Sequence, residues 1–95
     1  MPKALTLRQR LAMGLTLPKI AKVVLAMREA DQLEGRSSRE IALEVLGELQ
    51  AANPAAFEDP EIDWDAVIAW IEKMVEFIMA IIEVIASFFD QVTPS

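Results

Sequence analysis

The stretch AVIAWIEKMVEFIMAIIEVIASFF, residues 66–89, constrains this chain more than any other part of it. It contains no glycine or proline, and its polar positions return at helical intervals, so it reads as one long helix. Projected at about 100° per residue, Asp65, Ala69, Glu72, Lys73, Glu76, Ala80, Glu83, Ser87 and Asp90 fall on a single stripe. The rest is large and apolar. Val67, Ile68, Trp70, Ile71, Met74, Val75, Phe77, Ile78, Met79, Ile81, Ile82, Val84, Ile85, Phe88 and Phe89 cover roughly two thirds of the circumference, whereas an ordinary surface helix buries a band nearer 100° wide. One packing neighbour cannot cover so wide a face. The stripe recurs at sevens, through positions 69, 76, 83 and 90, so the helix keeps one orientation along its length, as helices of supercoiled bundles do.

Length alone permits this segment to cross a bilayer. A helix from Asp63 to Gln91 would run roughly 43 Å at about 1.5 Å per residue, against about 30 Å of hydrocarbon. Charge opposes a solitary span: with Glu72, Lys73 and Glu76 toward one interface, Glu83 sits deep, where a charged residue costs about 2.5–3.5 kcal/mol. Only an oligomer with Glu72, Glu76 and Glu83 on an interior face removes that objection.

Ahead of the long helix the pattern predicts three short ones, with no convincing strand alternation, and the expected fold class is all-α. The first, about 6–14, opens on Thr6 and Gln9 at capping-box spacing and closes at Gly14; Leu7 and Leu11 share one of its faces. Thr16 and Pro18 open the second, about 17–34, in which Ile20, Val23, Val24, Met27 and Ala30 recur at helical spacing before Gly35. The third, about 38–53, starts from the Ser37–Glu40 capping box, carries Ile41, Ala42, Val45, Leu46 and Leu49, and turns Glu40, Glu44 and Glu48 to solvent. Pro54 to Pro60 reads as a linker, with Phe57 pinning it to the core. This divides the chain into a helical region over 1–58 and a long helix over 59–92, opening at the Asp59–Pro60 pair or at Asp63.

Charge is unevenly distributed within the net −6. Residues 1–28 carry Lys3, Arg8, Arg10, Lys19, Lys22 and Arg28 and no acid, giving +6, while residues 29–95 carry three basic and fifteen acidic residues, giving −12. A basic end can meet an anionic surface, or it can neutralise the acidic end within or between protomers. The first 56 positions hold no aromatic residue to stack on bases, which favours neutralisation over nucleic-acid binding.

Site chemistry is sparse. Without Cys or His the chain lacks a thiolate, an imidazole base and the usual zinc ligands. None of Thr6, Thr16, Ser37, Ser38, Ser87, Thr93 and Ser95 stands in a nucleophile-elbow context. The acids around Glu61, Asp63 and Asp65 resemble the start of a calcium loop, but Trp64 stands where that loop needs Gly, and the acids suit a helix N-terminus. These features imply no enzyme, no cofactor, no metal and no small-molecule substrate. Apolar runs such as LAMGL are too short for a signal peptide, so a non-secreted protein, cytoplasmic or part of a large assembly, is expected ahead of an integral membrane one.

The expected function is therefore structural: a non-catalytic assembly protein that associates with copies of itself, or docks into a larger complex such as a virion or other multi-subunit machine. Its interface would comprise Trp70, Met74, Phe77, Ile78, Ile81, Ile82, Ile85, Phe88 and Phe89, with the polar stripe of Asp65, Glu72, Glu76, Glu83 and Asp90 turned away from it. The alternative is a small oligomeric membrane-spanning or permeabilising protein with Glu72, Glu76 and Glu83 on an interior face.

Overall fold

A computed structural model of the chain describes residues 5–92, with side chains through Phe89; all regular secondary structure over that range is helical. Four α-helices follow in order: α1 (Leu7–Met13), α2 (Leu17–Glu29), α3 (Ser38–Ala52) and α4 (Trp64–Val92), with a single 3₁₀ turn (Pro54–Phe57) between α3 and α4.

Local chemistry accounts for most of the boundaries. In α1 the Thr6 side chain accepts from the Gln9 amide at 3.1 Å while the Gln9 side chain accepts from the Thr6 amide at 2.9 Å, and the helix stops at Gly14, whose φ of 80° glycine adopts freely. Ser37 and Glu40 form the same reciprocal cap at α3. The helix α2 opens with Pro18 in its first turn, as expected, but ends at Glu29 and not near Leu33 or Glu34. Asp31 takes a left-handed φ of 57°, and the Gln32 amide reaches back to the Met27 carbonyl at 2.8 Å, so the helix ends five residues ahead of Glu34. Leu33 still packs on the core because the loop after the turn folds over it.

The long helix begins later than position 59. Asp63 caps it, its carboxylate accepting from the Ala66 amide at 3.2 Å, so of the two candidate starts the second is used. Asp59 and Pro60 form a separate turn instead: one Asp59 oxygen accepts from the Glu61 amide at 2.9 Å and the other from the Gln9 side chain at 3.4 Å. Phe57 is buried as expected, and its ring stacks on Trp64 at 6.1 Å.

α2 and α3 form a layer against the first half of α4. Ile20, Val24 and Met27 of α2 and Ile41, Ala42, Val45, Leu46 and Leu49 of α3 enclose Val67, Ile71, Val75 and Ile78. Those four positions step by four, four and three residues, which keeps them on one side of the helix. Only part of the apolar surface of α1 reaches the core. Leu7 and Leu11 face solvent, as does Leu17, and the α1 segment reaches the core through Met13 and Leu15 instead. A seven-residue helix has room for only one sustained face, and here the turn at Gly14 sends the chain inward just past it.

Substitution of Ile71, which is wholly enclosed, by Ala is expected to lower stability by about 2–5 kcal/mol through lost burial and a residual cavity. Ser37→Ala, which removes only an exposed cap, is expected to cost about 1 kcal/mol. Urea unfolding followed by circular dichroism ranks the two; equal losses would contradict this placement of the core.

Candidate functional site

The body of α1–α3 covers α4 only as far as Ile78, and the molecule is correspondingly elongated, 54 Å in its long dimension against 22 and 20 Å. Beyond that point the helix continues with little cover. Ile81, Val84, Ile85, Phe88 and Phe89 are all exposed, from 39% for Ile81 to 69% for Val84, and so is Phe77, which stands just before Ile78 but on another side of the helix. Met79 and Ile82 are partly covered, because the chain after α2 lies beside them; there Arg28, Asp31, Leu33, Glu34, Met79, Ile82, Glu83 and Ala86 line a cleft of about 340 Å³.

The residues expected at an interface thus have different fates. Ile78, only 5% exposed, is taken up by the protomer's own core. Met74 and Ile82 are partly buried against that core. Trp70 is held by two groups from the first part of the chain: the Arg10 guanidinium lies over its ring at 5.1 Å, and its indole N–H donates to the Leu15 carbonyl at 3.4 Å. Phe77, Ile81, Ile85, Phe88 and Phe89 remain free of the body, joined by Val84, which the sequence-based interface omits. Phe88 and Phe89 touch edge to face at 6.3 Å.

The polar stripe divides at the same level. Toward the body, the Ser38 hydroxyl reaches the Glu76 carboxylate at 3.1 Å and that of Glu72 at 3.5 Å, tying the start of α3 to α4; Glu72 is half-buried there. Asp65 and Glu83 are exposed, and the Asp90 side chain lies outside the described range. The stripe is therefore tied to the body at Glu72 and Glu76 and exposed at Asp65 and Glu83 on either side of them.

The basic residues do not assemble into one face. Lys3 lies outside the described residues, Arg8 is exposed and Arg10 is committed to Trp70. On α2, Lys19 and Lys22 border a groove that includes Glu48, whereas Arg28, on the opposite side of the helix, borders the cleft with Asp31, Glu34 and Glu83. Lys19, Lys22 and Arg28 thus each share a groove with acids of the same chain. Arg36 bonds the Glu44 carboxylate and the Gln32 carbonyl, fastening the α2–α3 loop to α3.

The Arg10–Trp70 stack and the burial of Leu15 have no local signature. Arg10 and Trp70 are 60 residues apart, and Leu15 sits in a turn between two helix signals. Among the described residues no group of acids could hold a metal ion, and no helix is long and apolar enough to cross a membrane. The reason lies in the charges of α4: its longest uncharged runs, Ala66–Ile71, Phe77–Ile82 and Val84–Phe89, are only six residues each. No protein-family model, curated protein or solved structure matches the chain.

Truncating the two ends of the apolar face should separate their roles. Ile78→Ala is expected to destabilise the protomer by about 2–5 kcal/mol. Phe77→Ala, one residue away but exposed, is expected to change it by less than about 0.5 kcal/mol. Urea midpoints measured in dilute solution provide the comparison.

Proposed function

We propose that this chain is a non-catalytic assembly protein whose business surface is the second half of α4. The observation that carries this reading is the continuous apolar face formed by Phe77, Ile81, Val84, Ile85, Phe88 and Phe89 beyond the reach of the chain's own body. Exposed apolar residues scattered singly are ordinary; six within thirteen positions of one helix form a patch of the kind that marks protein contact surfaces. Affinity would come from removing these side chains from water, at about 25 cal/mol per Å² of apolar area. Glu76 and Glu83, on the opposite side of the helix, stay in water when the face is covered and limit the ways in which it can be covered.

The same surface explains why no reaction is assigned. Its residues are hydrocarbon side chains, and the nearby carboxylates have neither an imidazole nor a thiol to work with anywhere in the chain. Nor does the distribution of cations favour nucleic acid. They are dispersed over different sides of α1 and α2, where a backbone-tracking surface would gather them along one groove.

The test is the mass of the purified chain by light scattering after size exclusion, without detergent and with it. A discrete multimer is expected in plain buffer. Ile81→Asp combined with Ile85→Asp is expected to reduce it to the 10.6 kDa monomer while helicity is kept, since both side chains are exposed in the protomer. A wild-type chain that runs as a monomer at high micromolar concentration would overturn the reading, and aggregation relieved only by detergent would point to lipid as the surface that covers α4.

A further inference from the structure

The first helix is attached to the protein differently from the other three. Among the described residues, the 3₁₀ turn is the only element that α1 packs against extensively, whereas α2 and α3 lie along α4. No residue from Leu7 to Ala12 is buried, and the apolar pair Leu7 and Leu11 faces water. What holds residues 5–12 down is a set of separate tethers. The Gln9 side chain donates to the Asp59 carboxylate at 3.4 Å and the Asn53 side chain donates to the Ala12 carbonyl at 3.0 Å, both at exposed positions. Leu5 is only partly buried against the core, and Arg10 lies over the Trp70 ring at 5.1 Å.

Each tether competes poorly with water. An exposed hydrogen bond is exchanged for one to solvent when it breaks, so its net contribution is small. The stack on Trp70 carries a cost of its own: the Arg10 Nε is buried without a hydrogen-bond partner, and it recovers one in water when the side chain lifts away. Nor does α1 hold itself together. Its seven residues fall well short of the roughly 12–15 at which an isolated helix is even marginal in water. Its first turn has no acid to meet the positive end of the helix and carries Arg8 instead. The attachment changes at Met13. Met13 and Leu15 are buried, and Gly14 between them lies so close to α3 that a Cβ there would stand 3.1 Å from the Leu49 Cδ2 atom. The Leu15 carbonyl, on this fixed side, accepts from the Trp70 indole at 3.4 Å. Release of residues 5–12 therefore leaves Trp70 in place and uncovers the face of its ring.

We infer that α1 is a strap that opens on its own: residues 5–12 leave the body, with Met13 as the pivot, far more often than α2, α3 and α4 come apart. At about 100° per residue Trp70 lies in line with Phe77, Ile81 and Phe88 along α4. While the strap is closed, the uncovered part of this line begins at Phe77. Opening adds Trp70, seven residues or about 10 Å nearer the start of the helix. The strap thus controls how much of the apolar face of α4 is offered. Its opening needs no partner, so it goes beyond the assembly reading and holds whether or not the chain self-associates.

Amide hydrogen exchange of the wild-type chain, followed residue by residue by NMR in dilute solution, tests the strap. The amides of Arg10, Leu11 and Ala12 are expected to be protected at least about 100-fold less than those of Val45 in α3 and Ile71 in α4. Arg10→Gln, which keeps a good helix former and removes the stack, is expected to lower protection in α1 by a further factor of about 2–5 and to leave Val45 and Ile71 unchanged. Trp64→Phe leaves Trp70 as the sole indole of the chain, and adding Arg10→Gln to it is expected to raise acrylamide quenching of the Trp70 fluorescence at unchanged helicity. Equal protection in α1, α3 and α4 of the wild-type chain would overturn the strap, because α1 would then open only with the whole protein. So would a loss of protection in Arg10→Gln that extends equally to Val45 and Ile71.

Discussion

Four side chains on one side of α4, Val67, Ile71, Val75 and Ile78, are the support on which the rest of this protein is built. Neither α2 nor α3 contains enough apolar surface to be stable alone, and helices of 13 and 15 residues are marginal in water by themselves. Each becomes stable by laying its apolar stripe on the α4 row. The local devices, two capping boxes, a left-handed glycine and the Arg36 clasp, then select where each helix starts and how the loops close. They refine a structure whose existence depends on that row.

The same dependence explains why the protein stops short of covering itself. A helix of 15 residues spans about 22 Å and one of 29 residues about 43 Å, so α3 can shield at most about half of α4 whatever its sequence. Composition does not change at Ile78; cover does. Val75 and Ile78 are enclosed while Ile81 and Ile85, chemically equivalent residues one and two turns on, are exposed. The chain is apolar past the point where its own packing uses the apolarity, and that surplus is the ground of the proposed assembly role.

Much of this was legible in sequence because it follows from period and caps. The all-helical class, the caps at Thr6 and Ser37, the buried Phe57 and the long terminal helix all rest on signals local to a few residues. What was not legible depended on tertiary placement. The end of α2 was read from Gly35, but the left-handed turn is made by Asp31, a residue that adopts this conformation only at modest cost and gives no clear warning. Leu7 and Leu11 form an apolar pair at helical spacing yet face water, because the direction in which α1 leaves its own turn determines which side it presents. In the candidate surface, periodicity identified the face but could not tell which of its residues the body would claim. Ile78 and Trp70 were lost to the core and to Arg10, and Val84 was gained.

The capture of Trp70 has a consequence for how the free face can be used. Large apolar faces on helices risk open-ended association, since any complementary patch can join. Here the strip that runs along α4 is closed at its lower end by α1 and the turn at Leu15, and flanked on the far side of the helix by acids at sevens. A partner helix can therefore lie along the strip only above Trp70, and over roughly the length from Phe77 onward. The contact between Arg10 and Trp70, which contributes modestly to the stability of the protomer, thereby also sets where the uncovered part of the strip begins.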